Sequence, residues 1–430
     1  MTDLIIIGSG PGGYKTAAYA ASKGLSVTIF EDGQPGGTCL NCGCIPTKAL
    51  CHDAELARLG LPVDFNAMRQ RKADIVGQLR EGIVALLSRP GITFVRARAV
   101  LKDDHTVVAD GREYTAGHII LATGSHAKLP PIPGIDLPGV VTSTELLDIG
   151  HIPARLAIIG AGVIGLEFAS VFAALGSQVT VVEFMRECLP QMDSDIAKRL
   201  RKQLEKQGIT FHLGAGVKEI RREEGLLVTF EKKGKADTVG ADIVLVATGR
   251  AANIEGIGLE ALGIETDRRG IVVDAQTLRV PGRDIYAIGD VNGRQMLAHA
   301  ATYQGYRAVN DILGLPDSIR LDVMPAAVFT QPEAAGVGPT EDELKAAGTD
   351  YVCHKSLFRA NGKALAIGQT EGLVKVVTDT ADRLIACHVL GPHAADIVQE
   401  VAALICRDTT LTQLRETVHI HPTLSEVLVE

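Results

Sequence analysis

Two stretches of the chain repeat the same order of apolar and polar positions. Residues 4–7 and residues 156–159 are short apolar runs, and each leads into a glycine-rich turn and then an alanine-rich segment. In both copies a second apolar run follows, at residues 26–31 and 178–183, and it ends on an acid. Buried parallel strands joined by a helix have this pattern. The sequence therefore predicts two strand–helix–strand units.

The rest of the chain predicts further elements around these two units. Residues from about 50 to 90 have a polar, helical pattern, and after about residue 320 alternation such as that at residues 373–377 predicts an antiparallel sheet. Apolar runs predict additional strands at residues 119–122, 242–247, 271–273 and 284–288. The last quarter of the chain is thus expected to form a separate α+β unit.

One apolar stretch, residues 156–176, is long enough to cross a bilayer. It carries Glu167 near its middle, and a carboxylate at that depth is costly. The stretch also divides into a short strand, a glycine turn and a helix. We therefore expect no membrane span.

Composition narrows the class of protein. The 430 residues correspond to about three domains at roughly 150 residues each. The chain is 46% hydrophobic and 22% charged and contains no tryptophan, so its core consists mainly of aliphatic residues. A net charge of −8 without long charged blocks argues against nucleic-acid binding. The opening residues lack the basic region of a secretory signal, so a cytoplasmic location is expected.

Each glycine turn has the spacing of a dinucleotide-binding motif. The first copy has Gly8, Gly10 and Gly13 followed by Glu31, and the second has Gly160, Gly162 and Gly165 followed by Glu183. In this motif the glycines allow a tight turn and a close approach of the backbone to a pyrophosphate, which lies at the helix N-terminus. The acid accepts hydrogen bonds from ribose hydroxyls. The carboxylate of Glu183 would repel a 2′-phosphate, which favours NAD(H) over NADP(H).

Four of the eight cysteines, Cys39, Cys42, Cys44 and Cys51, lie close together just after the first acid. A CxxCxC spacing is compatible with a zinc or iron–sulfur site if a fourth ligand is supplied by Cys51 or His52. The flanking dinucleotide motifs argue against this metal interpretation.

The segment from residue 36 to residue 48 resembles the redox-active disulfide signature of the class I pyridine nucleotide-disulfide oxidoreductases. That resemblance implies that Cys39 and Cys44 form the disulfide, that Cys44 lies beside the flavin and that Cys39 exchanges with the substrate. Cys42 departs from the family pattern, which has an apolar residue there. It is expected either to be a small side chain facing away or to form an alternative disulfide.

Further landmarks of the same family follow along the chain. Lys48 and Glu167 match a Lys–Glu pair near the flavin, which would neutralise the lone acid on an apolar helix. His421, before a proline, matches the catalytic base, and Glu426 matches the carboxylate that orients it. The neighbouring His419 is expected to be simply exposed.

The resemblance also implies two cofactors. FAD would contact Gly8, Gly10, Gly13, Glu31, Thr38, Lys48, Gly124, Asp290 and Ala298. NAD would contact Gly160, Gly162, Gly165, Glu183, Val217 and Gly249. No metal site is assigned.

The implied architecture is α/β, with two Rossmann-like FAD- and NAD-binding domains and a C-terminal α+β dimerisation domain. The predicted limits are 1–148 for the first part of the FAD domain, 149–270 for the NAD domain, 271–319 for a central segment completing the FAD domain, and 320–430 for the dimerisation domain.

Within this family, the motifs most resemble those of dihydrolipoamide dehydrogenases. The implied reaction converts dihydrolipoamide and NAD+ to lipoamide and NADH, with a lipoyl-carrier domain as partner. The resemblance also implies a homodimer in which His421 acts on the disulfide of the other subunit. Two alternatives stay open: an NADH-dependent reductase of another disulfide, and a metal or redox sensor that uses Cys39, Cys42 and Cys44.

Overall fold

A computed structural model describes residues 2–430. The strands in this range are β1 (Thr2–Ile7), β2 (Val27–Glu31), β3 (Ile92–Arg96), β4 (Ala99–Leu101), β5 (Thr106–Ala109), β6 (Arg112–Leu121), β7 (Ser125–Ala127), β8 (Val140–Val141), β9 (Arg155–Ile159), β10 (Gln178–Glu183), β11 (Thr210–Leu213), β12 (Ala215–Arg222), β13 (Leu226–Lys232), β14 (Lys235–Ala241), β15 (Ile243–Val246), β16 (Arg250–Ala252), β17 (Ile285–Ala287), β18 (Ala326–Val328), β19 (Glu333–Val337), β20 (Val352–Ser356), β21 (Leu373–Thr378) and β22 (Leu384–Gly391). The α-helices are α1 (Pro11–Ser22), α2 (Gly37–Cys42), α3 (Cys44–Arg58), α4 (Phe65–Leu87), α5 (Ser143–Leu146), α6 (Val163–Ala174), α7 (Ser194–Lys206), α8 (Ala298–Ile312), α9 (Glu341–Ala347), α10 (Gly362–Ala366), α11 (Ala394–Ile405) and α12 (Leu411–Glu416).

The chain divides into two compact units. The first unit consists of the residues up to Ala49, Ala67–Lys128 and Gly249–Leu321. The second unit consists of Leu50–Asn66, Leu129–Thr248 and Asp322–Glu430. The limits predicted from the sequence for the cofactor domains stay predictions.

The sheet of the first unit has the strand order β3-β2-β1-β6-β5-β4, and β17 also pairs with β6. Strands β1, β2, β3, β6 and β17 run parallel, as the buried apolar runs predicted. In β1, Leu4 and Ile6 pack into one hydrophobic cluster, whereas Ile5 and Ile7 pack into another. Since successive side chains point to opposite faces, both faces of this sheet are covered.

The second unit contains a parallel sheet of order β11-β10-β9-β15-β8 and an antiparallel sheet of order β12-β13-β14. It also contains the sheet β18-β19-β22-β21-β20, whose neighbouring strands are all antiparallel. The predicted antiparallel character of the C-terminal region is thus confirmed. Every residue of β21 is buried, so both faces of this strand are covered.

Most predicted strands are present, and one is not. The predicted strand at residues 271–273 was wrong, because this segment contains only an isolated bridge between Ile271 and Thr266. The Ile271 N–H donates to Val291, and the Val272 N–H donates to Glu265. The segment therefore changes hydrogen-bonding partner from one residue to the next and cannot continue as a strand.

The apolar stretch at residues 156–176 forms the end of β9, a turn and α6. Among residues 2–430, no helix combines the length and the apolar character that a membrane crossing requires.

Candidate redox and cofactor sites

The first glycine turn joins β1 to α1 and is built by close backbone contact. Gly8 has a φ of 101°, and a Cβ added to it would lie 2.3 Å from the carbonyl oxygen of Ala122. A Cβ on Gly13 would lie 1.9 Å from the oxygen of Gly8. A Cβ on Gly10 would meet its nearest neighbour, the Cα of Gly37, only at 3.8 Å. The outer glycines are thus required by packing, whereas at Gly10, directly before α1, an added Cβ would make only an ordinary contact.

The second glycine turn, between β9 and α6, repeats this arrangement. Gly160 has a φ of 108°, and its added Cβ would lie 2.4 Å from the oxygen of Ala247. An added Cβ on Gly165 would lie 2.1 Å from the oxygen of Gly160. Around Gly162, an added Cβ would find nothing within 4 Å. In each turn the middle glycine is therefore the least crowded of the three, and this is where the motif brings the backbone close to a pyrophosphate.

The two acids that follow these turns make equivalent hydrogen bonds. Glu31 accepts the backbone N–H of Ser9 at 2.8 Å, and Glu183 accepts that of Ala161 at 2.5 Å. In both cases the donor is the backbone N–H of the residue directly after the first glycine of the motif. Glu183 also accepts the N–H of Met185 at 2.6 Å. Each carboxylate thus holds the turn in shape at the position where the motif places a ribose.

Cys39 and Cys44 lie at the junction of two helices. Cys39 belongs to α2 and Cys44 begins α3, and both are partly exposed free thiols. The side-chain hydrogen bond with Cys44, followed by burial, raises the pKa of Cys39 well above its usual value, while the positive charge of Lys48 opposes that shift. The structure therefore brings the predicted redox pair into direct contact, with Lys48 close enough to act on it electrostatically.

Glycines shape the turn that carries this pair. A Cβ on Gly37 would lie 2.6 Å from the Cα of Gly10, so the start of α2 packs directly on the first glycine turn. A Cβ on Gly43 would lie 2.8 Å from the carbonyl oxygen of Thr38. Because Gly43 has no Cβ, the backbone can approach Thr38 closely and pass directly from α2 into α3.

An amide–guanidinium contact, which the sequence did not predict, holds the same turn. The side-chain amide of Asn41 donates to the carbonyl oxygens of Pro35 at 3.1 Å and Gly37 at 2.9 Å. Its oxygen accepts two hydrogen bonds from Arg80 of α4, at 3.0 and 2.8 Å. The signal in the sequence was weak, because Arg80 lies in a helix whose polar pattern looks purely solvent-facing.

The remaining cysteines of the N-terminal cluster do not complete a metal site. Cys42 is a partly exposed free thiol, and the Cys51 thiol donates to the carbonyl oxygen of Phe329 at 3.4 Å. Across residues 2–430, no group of three or more His, Cys, Asp or Glu side chains is arranged to hold a metal ion.

A second polar network surrounds Asp290 in the first unit. The hydroxyl of Ser125 donates to Asp290 at 2.5 Å, and Arg250 lies 3.9 Å from the same carboxylate. Arg250 also donates to the hydroxyl and the carbonyl oxygen of Ser125, both at 2.7 Å. Asp290 was predicted from the sequence as an FAD contact. The roles of Ser125 and Arg250 in this network were not predicted, although each residue directly follows a Thr-Gly pair.

The other predicted FAD positions lie near element ends. Ala298 is the first residue of α8, so it stands at a helix N-terminus, where partial positive charge favours anions. Thr38 lies in α2. Gly124, with a φ of 74°, accepts the N–H of Asn253 through its carbonyl oxygen at 2.9 Å.

Two predicted NAD positions lie outside the second glycine turn. Val217 lies in β12, next to an irregularity in its pairing with β13. Gly249 has a φ of 115° and accepts the N–H of Lys128 at 3.0 Å.

Glu167 is 3% exposed, although it lies on an otherwise apolar helix. Its carboxylate accepts the backbone N–H of Phe329 at 3.0 Å. Glu167 is therefore a buried, hydrogen-bonded acid. Its predicted pairing with Lys48 stays a prediction.

The C-terminal histidines form two separate His–Glu pairs. Nδ1 of His421 lies 2.9 Å from Oε1 of Glu426, as the motif predicted. His419 was expected to be exposed, and this was wrong. Its side chain is 8% exposed, and its Nε2 lies 2.9 Å from Oε1 of Glu400, on α11. The error arose because Glu400 is distant in the sequence.

The two histidines stand among apolar side chains that face outward. Val418 is 95% exposed and Ile420 is 79% exposed. Large apolar side chains in such a row are typical of a surface that another chain covers.

Comparison with known protein families gives two matches. The pyridine nucleotide-disulphide oxidoreductase family matches residues 2–305. The dimerisation domain of the pyridine nucleotide-disulphide oxidoreductases matches residues 324–430.

Curated proteins with two different names resemble the whole chain. A dihydrolipoyl dehydrogenase of Chlamydia muridarum is 38% identical over 448 residues, which cover 100% of this chain and 95% of the relative. Mitochondrial dihydrolipoyl dehydrogenase 1 of Arabidopsis thaliana is 39% identical in an alignment that covers 100% of this chain and 89% of the relative. A leghemoglobin reductase of Glycine max is 38% identical and covers 100% and 86%.

Solved structures share the fold over nearly its full length. The Cu(II) complex of RclA, an HOCl-induced flavoprotein disulfide reductase from Escherichia coli, superposes with a TM-score of 0.90 at 31% identity and covers 99% of this chain and 98% of RclA. LpdA from Mycobacterium tuberculosis gives a TM-score of 0.92 at 28% identity, covering 100% and 98%.

Proposed function

This chain belongs to the pyridine nucleotide-disulphide oxidoreductase family, and from that premise we propose that it oxidises dihydrolipoamide with NAD+. The observation that carries the proposal is the direct contact of Cys39 with Cys44 on a turn packed against the first glycine turn. Members of the family use FAD and NAD(H) and form homodimers through the C-terminal domain.

The residues present fit both cofactors. We assign FAD to the first glycine turn, which lies against the turn that carries Cys39 and Cys44, here called the redox turn. We assign NAD to the second glycine turn, where Glu183 disfavours a 2′-phosphate. FAD, when bound, supplies two-electron transfer between the dithiol pair and the nicotinamide. The two pyrophosphates would approach the backbone at Gly10 and Gly162, the middle glycines of the two turns.

The thiol chemistry follows from Cys39, Cys44 and His421. With Cys39 and Cys44 joined as a disulfide, Nε2 of His421 from the partner subunit accepts a proton from one substrate thiol. The resulting thiolate attacks the sulfur of Cys39, so a substrate–Cys39 disulfide forms and Cys44 leaves as a thiolate. The second substrate thiol then displaces Cys39, which releases the cyclic disulfide product and leaves both cysteines reduced.

Glu426 acts through His421 in this scheme. Its carboxylate engages Nδ1 at 2.9 Å, which fixes the ring and leaves Nε2 to receive the proton. Supply of His421 by the partner subunit is part of the proposal, and the exposed Val418 and Ile420 beside it support it.

The choice of dihydrolipoamide as substrate is supported by the dihydrolipoyl dehydrogenases, which match the full chain at 38–39% identity. A second candidate, an NADH-dependent reductase of another disulfide, is supported by the TM-score of 0.90 with RclA. Docking of a lipoyl-carrier domain and a cytoplasmic location stay predictions.

A panel of disulfides separates the two candidates. Purified holoenzyme is mixed with NADH and lipoamide, glutathione disulfide or coenzyme A disulfide, and NADH oxidation is followed. We expect lipoamide to be reduced with a kcat/KM at least about 10²-fold above that of the other two disulfides. A preference for another disulfide would show that lipoamide is not the substrate. A colourless, metal-carrying protein that NADH does not reduce would contradict the proposal that the protein is a flavoenzyme.

A further inference from the structure

Lys375 is a buried lysine in the middle of β21. Only 1% of this residue is exposed, although lysine is almost never fully buried unless it is paired. Across the sheet it is paired with Lys355 on β20 and with the buried His388 on β22. A buried ammonium is costly unless it is paired and hydrogen-bonded. Something must therefore compensate its charge.

Two carboxylates compensate the charge of Lys375. Its Nζ lies 2.7 and 2.6 Å from the oxygens of Asp193, which is also 1% exposed, and it contacts Glu341. Burial disfavours the ammonium, but the hydrogen bonds to Asp193 and Glu341 outweigh burial and raise the pKa of Lys375. Burial favours protonation of Glu341, but contacts with Lys375 and Tyr351 prevail and lower its pKa to about 2.

The two carboxylates come from facing helix N-termini. Asp193 is the N-cap of α7, where it accepts the N–H of Asp195 at 3.1 Å, and Glu341 begins α9. The N–H of Glu341 donates to Asp193 at 3.4 Å, and that of Ser194 donates to Asp342 at 3.1 Å. Each helix thus supplies a carboxylate to the other, and Lys375 joins them to the C-terminal sheet.

Asp193 also ends the segment of residues 184–193, here called the ribose loop because it starts directly after Glu183. The carbonyl oxygen of Ala161, in the second glycine turn, accepts the N–H of Leu189 at 3.0 Å. Leu189 is buried and has a φ of 48°, a left-handed conformation that is unfavourable for leucine. Such a conformation persists only where neighbouring contacts hold the chain in place.

The ribose loop is therefore anchored at both ends. Glu183 holds its first turn through the N–H of Met185, and Lys375 holds its last residue, Asp193. The first anchor lies within the assigned NAD site, whereas the second comes from the sheet of the dimerisation domain. No group of the assigned NAD site contacts Lys375 in the hydrogen bonds and ion pairs of residues 2–430.

We propose that Lys375 is a positioning residue for NAD. By fixing Asp193 it keeps the ribose loop, and through it Glu183 and Ala161, in the geometry that binds the adenosine half of the cofactor. The affinity for NAD(H) thus depends on a charge supplied by the dimerisation domain. This inference rests on the assignment of NAD to the second glycine turn, and not on the identity of the disulfide substrate.

The test is a direct NADH titration of holoenzyme carrying Lys375→Met, with Lys355→Met as the matched control. Lys355 contacts the same acidic group, at 3.3 Å from Asp195 and 3.6 Å from Glu341, but it is half exposed. We expect Lys375→Met to weaken NADH binding about 3- to 30-fold, the range for substitutions that act on a site without touching it. The KM for the disulfide and kcat at saturating NADH should change less than twofold, and Lys355→Met should match wild type.

A second variant and a hydrogen-exchange measurement test the same role of Lys375 even if Lys375→Met folds poorly. The double variant Lys375→Gln with Asp193→Asn removes both charges but keeps hydrogen-bonding groups, and it should show the same loss of NADH affinity. In either Lys375 variant without NADH, hydrogen exchange at the amides of Met185 and Leu189 should be faster than in wild type. Exchange at the amide of Ser9 should be unchanged.

The possible results separate this inference from the proposed function. Unchanged NADH affinity in both Lys375 variants, or an equal fall in every kinetic constant, would overturn the positioning role. A wild type that binds NADH but prefers another disulfide would change the substrate and leave this inference intact. A wild type that does not bind NADH would overturn both.

Discussion

Nδ1 of His421 lies 2.9 Å from Oε1 of Glu426, and the other oxygen of that carboxylate accepts the N–H of Thr423 at 2.8 Å. The hydrogen bond from Thr423, and then that from His421, lower the pKa of Glu426 below its usual value. The carboxylate therefore stays ionised near neutral pH and holds the ring in one orientation. This geometry leaves Nε2 as the ring nitrogen that would receive the substrate proton in the proposed reaction.

Removal of the base should separate the two half-reactions. His421→Gln is expected to slow oxidation of dihydrolipoamide by about 10²- to 10⁴-fold, the usual contribution of a general base. Rapid-mixing measurements of flavin reduction by NADH should give the wild-type rate, because His421 takes part only in the thiol steps.

Glu426→Gln should produce a smaller loss in the same half-reaction. The matched control is Glu400→Gln, which removes the partner of His419 in an equivalent pair. Equal losses in these two variants would show that the pairs act only on structure.

The cysteine cluster gives a second prediction. Cys39→Ser should abolish turnover with dihydrolipoamide, because Cys44 then lacks its proposed disulfide partner and the substrate thiolate has no Cys39–Cys44 disulfide to attack. Cys42→Ser, in the same helix, should keep kcat/KM within about twofold of wild type, as expected for a surface substitution without partners. Steady-state assays of both variants test this, and a severe loss in Cys42→Ser would place that thiol in the reaction.

Two glycines of one turn should respond differently to alanine. Gly162→Ala adds a Cβ that meets nothing in the protein, so the fold should persist while NADH binding weakens about 10- to 100-fold through a displaced phosphate contact. Gly165→Ala places a Cβ 2.1 Å from the oxygen of Gly160 and should lower the free energy of unfolding by about 1–3 kcal/mol. Urea unfolding and NADH titration of both variants distinguish these effects. Normal NADH binding by Gly162→Ala would contradict the assigned pyrophosphate site.

The acid of the second motif should control coenzyme choice. Glu183→Gln removes the charge that opposes a 2′-phosphate, so the ratio of kcat/KM for NADPH to that for NADH should rise about 10-fold or more. Glu31→Gln serves as the control, because it should weaken FAD retention and leave this ratio unchanged. An unaltered ratio in Glu183→Gln would remove Glu183 from the ribose site.

Acid should selectively weaken the contact between Glu341 and Lys375. The pKa of Glu341 is about 2 in the folded protein against 4.5 for an unperturbed glutamate. A lowered folded pKa contributes stability that is fully present above the unfolded pKa and is lost as pH falls towards the folded value. The stability advantage of wild type over Glu341→Gln should therefore shrink by about 2 kcal/mol between pH 5 and pH 3. Urea unfolding at both values measures it, and a pH-independent difference would contradict the ion pair.

Local patterns predicted much of the fold and of the candidate site. Both glycine turns could be identified because their constraints act within a few residues, as the contact of Gly13 with the oxygen of Gly8 illustrates. The motif resemblance placed His421 beside Glu426, and the structure has them in contact. These features share short sequence separation.

Features that depend on distant residues escaped prediction. The pairing of His419 was missed because Glu400 lies on the distant helix α11, and the burial of Lys375 depends on Asp193 and Glu341. Alternation along β21 describes one strand and cannot show that elements cover both of its faces.

The contact between Gly37 and Gly10 has a consequence for redesign. Because a Cβ on Gly37 would lie 2.6 Å from the Cα of Gly10, the redox turn and the first glycine turn cannot be exchanged as independent modules. A graft of a new cysteine loop from another protein must bring its own glycine pair, or it will push the backbone of the neighbouring turn. Engineers who wish to alter the potential of the proposed Cys39–Cys44 disulfide should therefore change side chains around the pair and leave the path of the backbone intact.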